Sequence, residues 1–218
     1  MSWRGTKGGI EAAKQHNNVV MTPYDYYYLD YYQGKPSLEP NAIFDHAINT
    51  LEKVYNYEPF DKALTPEQTQ YIKGVQGNVW SEFIHTPDKV EYMAFPRAAA
   101  VAETGWTLPN RKNWKDFAKR MEVQYQRYDL EEINYAKSAY SVWQTTKYDS
   151  ISNTAEISFK TNSYQPEIRY TLDGNEPTES SKLYTGPFKV TAPILIKSAT
   201  FKNGKVIGKI YEEAVLKK

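Results

Sequence analysis

The placement of apolar residues divides this sequence into two parts that belong to different kinds of fold. In the first part, short apolar runs such as Val19-Val20-Met21 alternate with longer segments of helical periodicity, as in a parallel sheet built from βα units. Beyond Tyr140 the runs are short, rich in β-branched residues and separated by turn residues, which is typical of an antiparallel β-domain. The sequence therefore predicts an α/β domain over residues 1–137, a linker over 138–149 and an all-β domain over 150–218.

The first part has room for only some of the strands of a barrel. Three segments have the apolar character of parallel strands, namely residues 1–3, 18–21 and 75–79. A complete (β/α)8 barrel takes about 250 residues, whereas the whole sequence has 218. We therefore expect a partial barrel with three strands.

Capping and breaking residues predict where several helices begin and end. A short helix is expected over residues 8–15, and another begins at Thr65, with Thr65 as N-cap and Gly74 as its stop. Pro96 lies inside a helical segment that follows Pro87, so a kink is expected near Ala94 or Phe95. A further helix over residues 113–127 has an apolar stripe at steps of three and four, made by Trp114, Phe117, Met121 and Tyr125.

The second part contains the alternation and the turn residues of β-hairpins. Strands are expected near residues 155–159, 168–172, 188–190, 194–200 and 206–210. The pairs Asp173-Gly174 and Asn203-Gly204 each follow such a run and predict tight turns.

Two side chains near the end of the third expected strand have the spacing of a sugar-binding pair. Trp80 and Glu82 are two residues apart, so in an extended segment they point to the same side. The C–H face of a pyranose ring packs on an indole, and the sugar hydroxyls donate hydrogen bonds to a carboxylate. On spacing alone, the more common arrangement is a core tryptophan beside a solvated glutamate.

The residues around this pair resemble the end of the catalytic barrel of glycoside hydrolase family 20, the β-N-acetylhexosaminidases. In that family the last barrel strand ends in Trp-Ser/Thr-Glu and precedes an alanine-rich helix with a Pro-Arg step, as Trp80-Ser81-Glu82 here precedes Pro96-Arg97. Residues 1–5 resemble the sixth strand, and residues 19–23 with Tyr28-Leu29-Asp30 resemble the seventh strand and its loop. The resemblance covers residues 1–137 and implies the last three βα units of a (β/α)8 TIM barrel.

The second part is similar to the small immunoglobulin-like domain at the C-terminus of many hexosaminidases. Its segment YTLDGNEPT at residues 170–178 matches the signature of that domain. The resemblance implies a small immunoglobulin-like β-sandwich over residues 150–218.

The resemblance also implies a role for each residue of a substrate site. Tyr28 would hydrogen-bond the acetamido carbonyl of an N-acetylhexosamine, Asp30 and Glu82 would hold sugar hydroxyls, and Trp3 and Trp80 would wall the pocket. Without the resemblance, Tyr28 and Asp30 would be interpreted as a surface loop with a turn-forming aspartate. The choice of tyrosine stays open by a residue or two, because other tyrosines flank Tyr28 at Tyr26, Tyr27, Tyr31 and Tyr32.

The catalytic pair of the family is absent from this sequence. The family's acid catalyst is the glutamate of an Asp-Glu step, and the sequence contains no Asp-Glu dipeptide. In the family the acetamido oxygen of the substrate attacks the anomeric carbon, but a general acid must still protonate the leaving oxygen. We therefore expect no catalytic residue in this chain, which we predict to be inactive without a missing N-terminal part of the same enzyme.

Composition indicates which further partners are not expected. A formal net charge of +1 and the lack of a long apolar run predict neither nucleic-acid binding nor a membrane-spanning segment. The sequence has no cysteine, and His16, His46 and His85 lie far apart without ligand spacing, so we expect no metal site and no cofactor. Residues 1–9 lack the apolar segment of a signal peptide, and the resemblance implies a periplasmic or extracellular full-length protein.

Two functions fit the sequence. The first is part of a retaining exo-β-N-acetylhexosaminidase that removes terminal N-acetylglucosamine or N-acetylgalactosamine from an oligosaccharide or glycan. The alternative is a non-catalytic fragment that binds carbohydrate or protein.

Overall fold

The computed structural model describes residues 1–42 and 47–217, and the chain divides into two compact units, Met1–Ala136 and Lys137–Lys218. The helices of the first unit are α1 (Lys7–Lys14), α2 (Tyr24–Tyr27), α3 (Leu51–Asn56), α4 (Pro66–Thr69), α5 (Pro87–Ala94), α6 (Arg97–Trp106) and α7 (Trp114–Leu130). Its strands are β1 (Val19–Met21) and β2 (Ile72–Val75). No helix among the described residues is long and apolar enough to cross a membrane.

The strands of the first unit form a short parallel sheet. β1 and β2 pair with Met21 opposite Val75, and Ser2 adds a single parallel bridge to Met21. The strand expected at residues 1–3 is therefore only a bridge at Ser2. The strand expected at residues 75–79 was placed three residues too late, because Ile72 takes the buried position opposite Val19.

Helix α4 begins where its capping residue predicts, but it ends earlier than expected. The Thr65 hydroxyl accepts a hydrogen bond from the Gln68 amide (3.2 Å), and the Gln68 side chain accepts one from the Thr65 amide (3.0 Å), which is the capping box. Gly74 does not end this helix. The helix ends at Thr69, and Gly74 lies in β2, where it pairs with Val20 of β1.

Pro96 divides the predicted kinked helix into α5 and α6. Phe95, between them, is extended (φ −100°, ψ 141°). Proline has no N–H to donate to the carbonyl four residues earlier, and the Gln33 side chain donates to that Tyr92 carbonyl instead, at 2.5 Å. The last helix, α7, runs three residues beyond the predicted end at residue 127, and Asn113 caps it by accepting from the Asp116 amide at 3.1 Å.

The second unit is a sandwich of two antiparallel sheets. Its strands are β3 (Trp143–Asp149), β4 (Thr154–Lys160), β5 (Glu167–Thr171), β6 (Lys182–Leu183), β7 (Phe188–Thr191), β8 (Ile194–Lys202) and β9 (Lys205–Val215). The strand orders are β3-β4-β7 and β6-β5-β8-β9. Aromatic side chains join the sheets, because Tyr170 of β5 stacks on Phe188 of β7 with ring centroids 4.4 Å apart.

Two expectations for the second unit need correction. The predicted linker at residues 138–149 is wrong over its second half, because β3 pairs with β4 along its whole length. The tight turn predicted at Asp173-Gly174 is present, but it does not join two paired strands directly as a β-hairpin would. The Asp173 carboxylate accepts from the Asn175 amide at 3.0 Å and shapes a local turn, but the chain continues to β6 before it pairs again. The turn at Asn203-Gly204 does join β8 directly to β9, with positive φ at both residues (52° and 74°), as a type I′ turn requires.

Candidate functional site

The side chains predicted to bind substrate all line one cavity of the first unit, with a volume of about 510 Å³. The cavity lies where the parallel strands end. Its lining residues are Trp3, Tyr24, Tyr28, Asp30, Tyr31, Trp80 and Glu82.

Backbone pairing beyond β1 and β2 brings these residues together. Tyr28 and Asn78 form an isolated parallel bridge, in which the Leu29 amide donates to the Asn78 carbonyl (2.7 Å) and the Asn78 amide donates to the Tyr27 carbonyl (2.8 Å). Asp30 and Trp80 each lie two residues beyond this bridge. Asp30 lies in the turn that follows Tyr28, and both Asp30 and Trp80 line the cavity at this end of the pairing.

Asn78 was not singled out by the sequence, although it fixes this register with its side chain as well. The buried amide group donates to the Thr22 hydroxyl at 2.6 Å and accepts from the Gln76 side chain at 2.6 Å. Its position two residues before Trp80 is the one signal that could have identified it.

The aromatic part of the lining is open to a ligand. Trp3 and Trp80 are each 43% exposed. Tyr28 meets Trp80 edge to face, with ring centroids 5.8 Å apart, and burial raises the pKa of the Tyr28 hydroxyl while a hydrogen bond with the Trp80 side chain lowers it. An exposed indole held by a neighbouring ring is a flat, preformed surface on which a sugar ring can stack.

The structure narrows the choice of tyrosine. Tyr24, Tyr28 and Tyr31 line the cavity. Tyr26 and Tyr27 instead pack against Tyr57, at centroid distances of 4.8 and 4.9 Å, and Tyr32 belongs to a buried cluster with Met93.

The two carboxylates of the cavity differ in their surroundings. Asp30 is only 4% exposed, and burial raises the pKa of its carboxyl to about 6, against the smaller lowering effects of backbone amides and of Arg97. Its Oδ1 atom has no hydrogen-bond partner among the described residues. Glu82 is exposed and adds to the rise in the Asp30 pKa by charge repulsion. The pair offers one buried and one solvated acceptor to a ligand with several hydroxyls.

Arg97 is a second residue whose importance the sequence did not reveal. The side chain is 0% exposed and donates to four backbone carbonyls, of Leu29 (2.5 Å), Met93 (2.7 Å), Tyr31 (2.9 Å) and Asn49 (3.0 Å). Burial lowers the pKa of the guanidinium to about 9, opposed by the nearby Glu39 and Asp30. The Pro-Arg step is visible in the sequence, but nothing around it indicates that the arginine is buried.

Within residues 1–42 and 47–217, no group of three or more His, Asp or Glu side chains could hold a metal ion. His46, named among the histidines above, lies outside the described residues.

Comparison with known proteins identifies related sequences for both units. Residues 1–109, half of the chain, match the catalytic domain of glycosyl hydrolase family 20. Residues 146–212 match the chitobiase/β-hexosaminidase C-terminal domain.

Individual relatives agree with these matches. A β-hexosaminidase of Porphyromonas gingivalis is 38% identical over 206 residues, which cover 94% of this chain and 26% of that protein. The family 20 exo-β-N-acetylglucosaminidase of Vibrio harveyi, solved in complex with N-acetylglucosamine, is 33% identical, with a TM-score of 0.54 over 62% of this chain and 21% of that one. The N-acetyl-β-hexosaminidase of Streptomyces plicatus is 26% identical with a TM-score of 0.53, over 61% of this chain and 26% of that one. The chain thus spans about a quarter of the length of these relatives.

Proposed function

The chain belongs to glycosyl hydrolase family 20, and we propose that its first unit forms one wall of the substrate pocket of a retaining exo-β-N-acetylhexosaminidase. In this proposal the unit is the last three βα units of the barrel, and its ligand is a terminal N-acetylglucosamine or N-acetylgalactosamine of a glycan. The observation that carries the proposal is that Trp3, Tyr28, Asp30, Trp80 and Glu82 line one cavity.

Each lining group suits one part of a hexosamine. The exposed indoles of Trp3 and Trp80 offer apolar faces for the C–H side of the ring. Asp30 and Glu82 can each accept hydrogen bonds from hydroxyl groups, and the otherwise unpartnered Oδ1 of Asp30 would gain such a donor. The Tyr28 hydroxyl can donate to the acetamido carbonyl, which would fix the oxygen that performs the first step.

The reaction of the complete enzyme also needs a general acid and a group that orients the acetamide, and neither lies in this chain. The acetamido oxygen bonds to the anomeric carbon as the glycosidic C–O bond breaks, and the leaving oxygen takes a proton from a general acid. Water then attacks the anomeric carbon and gives a proton to the carboxylate that the general acid has become, and the bond from the anomeric carbon to the acetamido oxygen breaks, which restores the acetamide. The sequence contains no Asp-Glu step to supply the acid and to orient the acetamide, so we propose that a preceding part of the same enzyme supplies both groups and that this chain alone does not turn over.

A binding experiment tests the pocket directly. The chain has five tryptophans, of which only Trp3 and Trp80 line the cavity. Addition of N-acetylglucosamine should shift the indole N–H signals of these two in a ¹⁵N-labelled sample and leave those of Trp106, Trp114 and Trp143 in place. Equal shifts with glucose, or no shift at millimolar sugar, would contradict the proposed pocket.

A turnover experiment separates the enzyme fragment from the non-catalytic alternative. The chain alone should release no chromophore from an aryl N-acetylglucosaminide, whereas a longer protein that includes the preceding coding sequence should. If the purified chain alone is active and Glu82→Gln abolishes that activity, the general acid lies in this chain and the proposal is wrong. If the preceding coding sequence contains a stop codon or lacks an Asp-Glu step, the non-catalytic alternative is favoured.

A further inference from the structure

The buried guanidinium of Arg97 joins three separate parts of the chain. Its Nη atoms donate to carbonyls of the loop after α2, of the segment before α3 and of α5, the Leu29 and Met93 carbonyls sharing Nη2 and the Tyr31 and Asn49 carbonyls sharing Nη1. The Leu29 and Tyr31 carbonyls lie on either side of Asp30. The backbone of the residue that carries the buried carboxylate is therefore held at both neighbouring residues.

A second buried side chain holds the same loop. Asn49 donates to the carbonyls of Tyr24 (3.0 Å) and Tyr28 (3.1 Å), while its own backbone carbonyl accepts from Arg97. Asn49 is 0% exposed. Arg97 and Asn49 thus form one buried network beneath the tyrosines and the aspartate of the cavity.

Burying the charge of Arg97 in this network costs free energy, so the network is an inefficient way to stabilise the fold alone. Removing a charged group from water costs several kcal/mol, and Arg97 is compensated by hydrogen bonds to four backbone carbonyls, with the charges of Glu39 and Asp30 nearby. Well-packed apolar side chains often stabilise a core as well as a buried charge does. A planar group with five donors can, however, fix several carbonyls at defined positions.

We propose that Arg97 is a positioning residue for the sugar site: its guanidinium fixes the loop on both sides of Asp30 and so sets the place and the burial of that carboxylate. Arg97 does not line the cavity and does not touch the sugar. The sugar-affinity part of this inference rests on the proposed function, whereas the placement of Asp30 does not.

Other charged and titratable groups face this region and must stay unchanged in the test. The residues that act electrostatically on Asp30 or Arg97, or that line the small cavity beside Asp30, are Tyr28, Tyr31, Glu39, Glu82, Lys89 and Tyr92.

Arg97→Lys separates the charge from the geometry. Lysine keeps the positive charge, but its compact ammonium group cannot reproduce the planar fork. Arg120→Lys is the matched control, because Arg120 is half-exposed on the same unit and pairs with Glu103 and Asp116 at the surface. In a ¹³C titration of the Asp30 carboxyl without sugar, Arg97→Lys should let water reach Asp30 and lower the midpoint from about 6 towards the ordinary value. Arg120→Lys should leave the midpoint in place.

The sugar readout follows from the same variants. Loosening the loop should weaken N-acetylglucosamine binding about tenfold in Arg97→Lys, with little change in Arg120→Lys. An Asp30 midpoint and a sugar affinity that are the same in both variants would overturn the inference. If the unmodified chain binds no N-acetylglucosamine at Trp3 and Trp80, the proposed function fails, but the carboxyl titration still decides the role of Arg97.

A measurement on the native arginine covers the case in which Arg97→Lys does not fold. In the unmodified chain, the Arg97 Nε–H signal should change with pH at the Asp30 midpoint, and Asp30→Asn should abolish that change. An Arg97 signal that ignores the ionisation of Asp30 would overturn the inference.

Discussion

Tyr28 and Asn78 are bridged in parallel, although they lie 50 positions apart in the sequence. The bridge lies beyond the ends of β1 and β2 and has the same parallel direction. The residues that follow it are mainly polar and aromatic. The pair brings together the turn that contains Asp30 and the segment that contains Trp80, and both side chains line the same cavity. The site therefore depends on a short stretch of pairing as much as on its lining side chains.

Replacement of Asn78 should weaken the first unit. Asn78→Ala removes the buried hydrogen bonds to Thr22 and Gln76 and leaves the Thr22 hydroxyl without that partner. An unsatisfied buried polar group costs about 1–3 kcal/mol, and we expect a loss of that size in the free energy of unfolding measured with urea. Asn110→Ala, at an exposed asparagine of the same unit, should change it little. Equal effects of the two replacements would show that the side chain of Asn78 does not hold the register.

Asp30 should make the first unit less stable as the pH rises. Its pKa is about 6 in the folded chain and about 3.9 in an unfolded one, so the folded state binds more protons between these values. Stability therefore falls as the pH rises from about 4 to about 6, by up to about 3 kcal/mol, and then levels off.

The variant Asp30→Asn removes this dependence. It should be more stable than the native chain at pH 7 and lose its advantage near pH 4, as measured by urea unfolding across that range. Asp25→Asn, at an exposed carboxyl of the same region, should follow the native curve. A native curve that runs parallel to that of Asp30→Asn would contradict the buried state of Asp30.

Tyr28→Phe should weaken sugar binding more than the same change at a neighbouring tyrosine. Tyr28 lines the cavity and its ring meets Trp80 edge to face, and the loss of one neutral hydrogen bond to the sugar costs about 0.5–1.5 kcal/mol. Tyr26→Phe is the control, because Tyr26 packs against Tyr57 outside the cavity. Titration with N-acetylglucosamine measures the affinity of both variants. A larger loss of affinity in Tyr26→Phe would contradict the assignment of the acetamide contact to Tyr28.

Glu82→Gln should reduce sugar affinity while leaving the fold intact. Glu82 is exposed and lines the cavity, so its replacement should hardly change the urea midpoint. Loss of a hydrogen bond to a charged group costs about 1.5–3 kcal/mol, or roughly a tenfold or greater rise in Kd. Glu67→Gln, at an exposed position of α4, is the control. An unchanged Kd in Glu82→Gln would remove Glu82 from the site.

Gly204→Ala should destabilise the second unit. Gly204 has φ +74° in the turn between β8 and β9, and a residue with a Cβ atom in the left-handed region costs roughly 1–2 kcal/mol. Its new Cβ would also lie 2.9 Å from the Glu179 side chain, which must move. Asn203→Gly in the same turn should be nearly neutral, because glycine also accepts positive φ. Thermal unfolding measures both variants, and equal stability would argue against the type I′ geometry.

Local chemistry was sufficient to predict several features of each unit. The capping box at Thr65 and the turn at Asn203-Gly204 follow from residues within a few positions of one another. So does the irregularity before Pro96, although a kink was predicted there and two separate helices are found. The errors arose where a contact from a distant segment decided the outcome. Ile72 extends the strand because Val19 offers a buried partner, and residues 143–149 form a strand because β4 pairs with them.

The sequence by itself determined the division into two kinds of fold and the spacing that puts an indole and a carboxylate on one side of an extended chain, because periodicity and turn preference are local properties. Only the tertiary structure decided that Asp30 lies beside Trp80 and that Arg97, of a residue type mostly found at the surface, is fully buried. The physical reason is that the burial of a charge depends on which carbonyls surround it. Those of Leu29, Tyr31 and Asn49 come from segments that meet Arg97 only when the chain has folded.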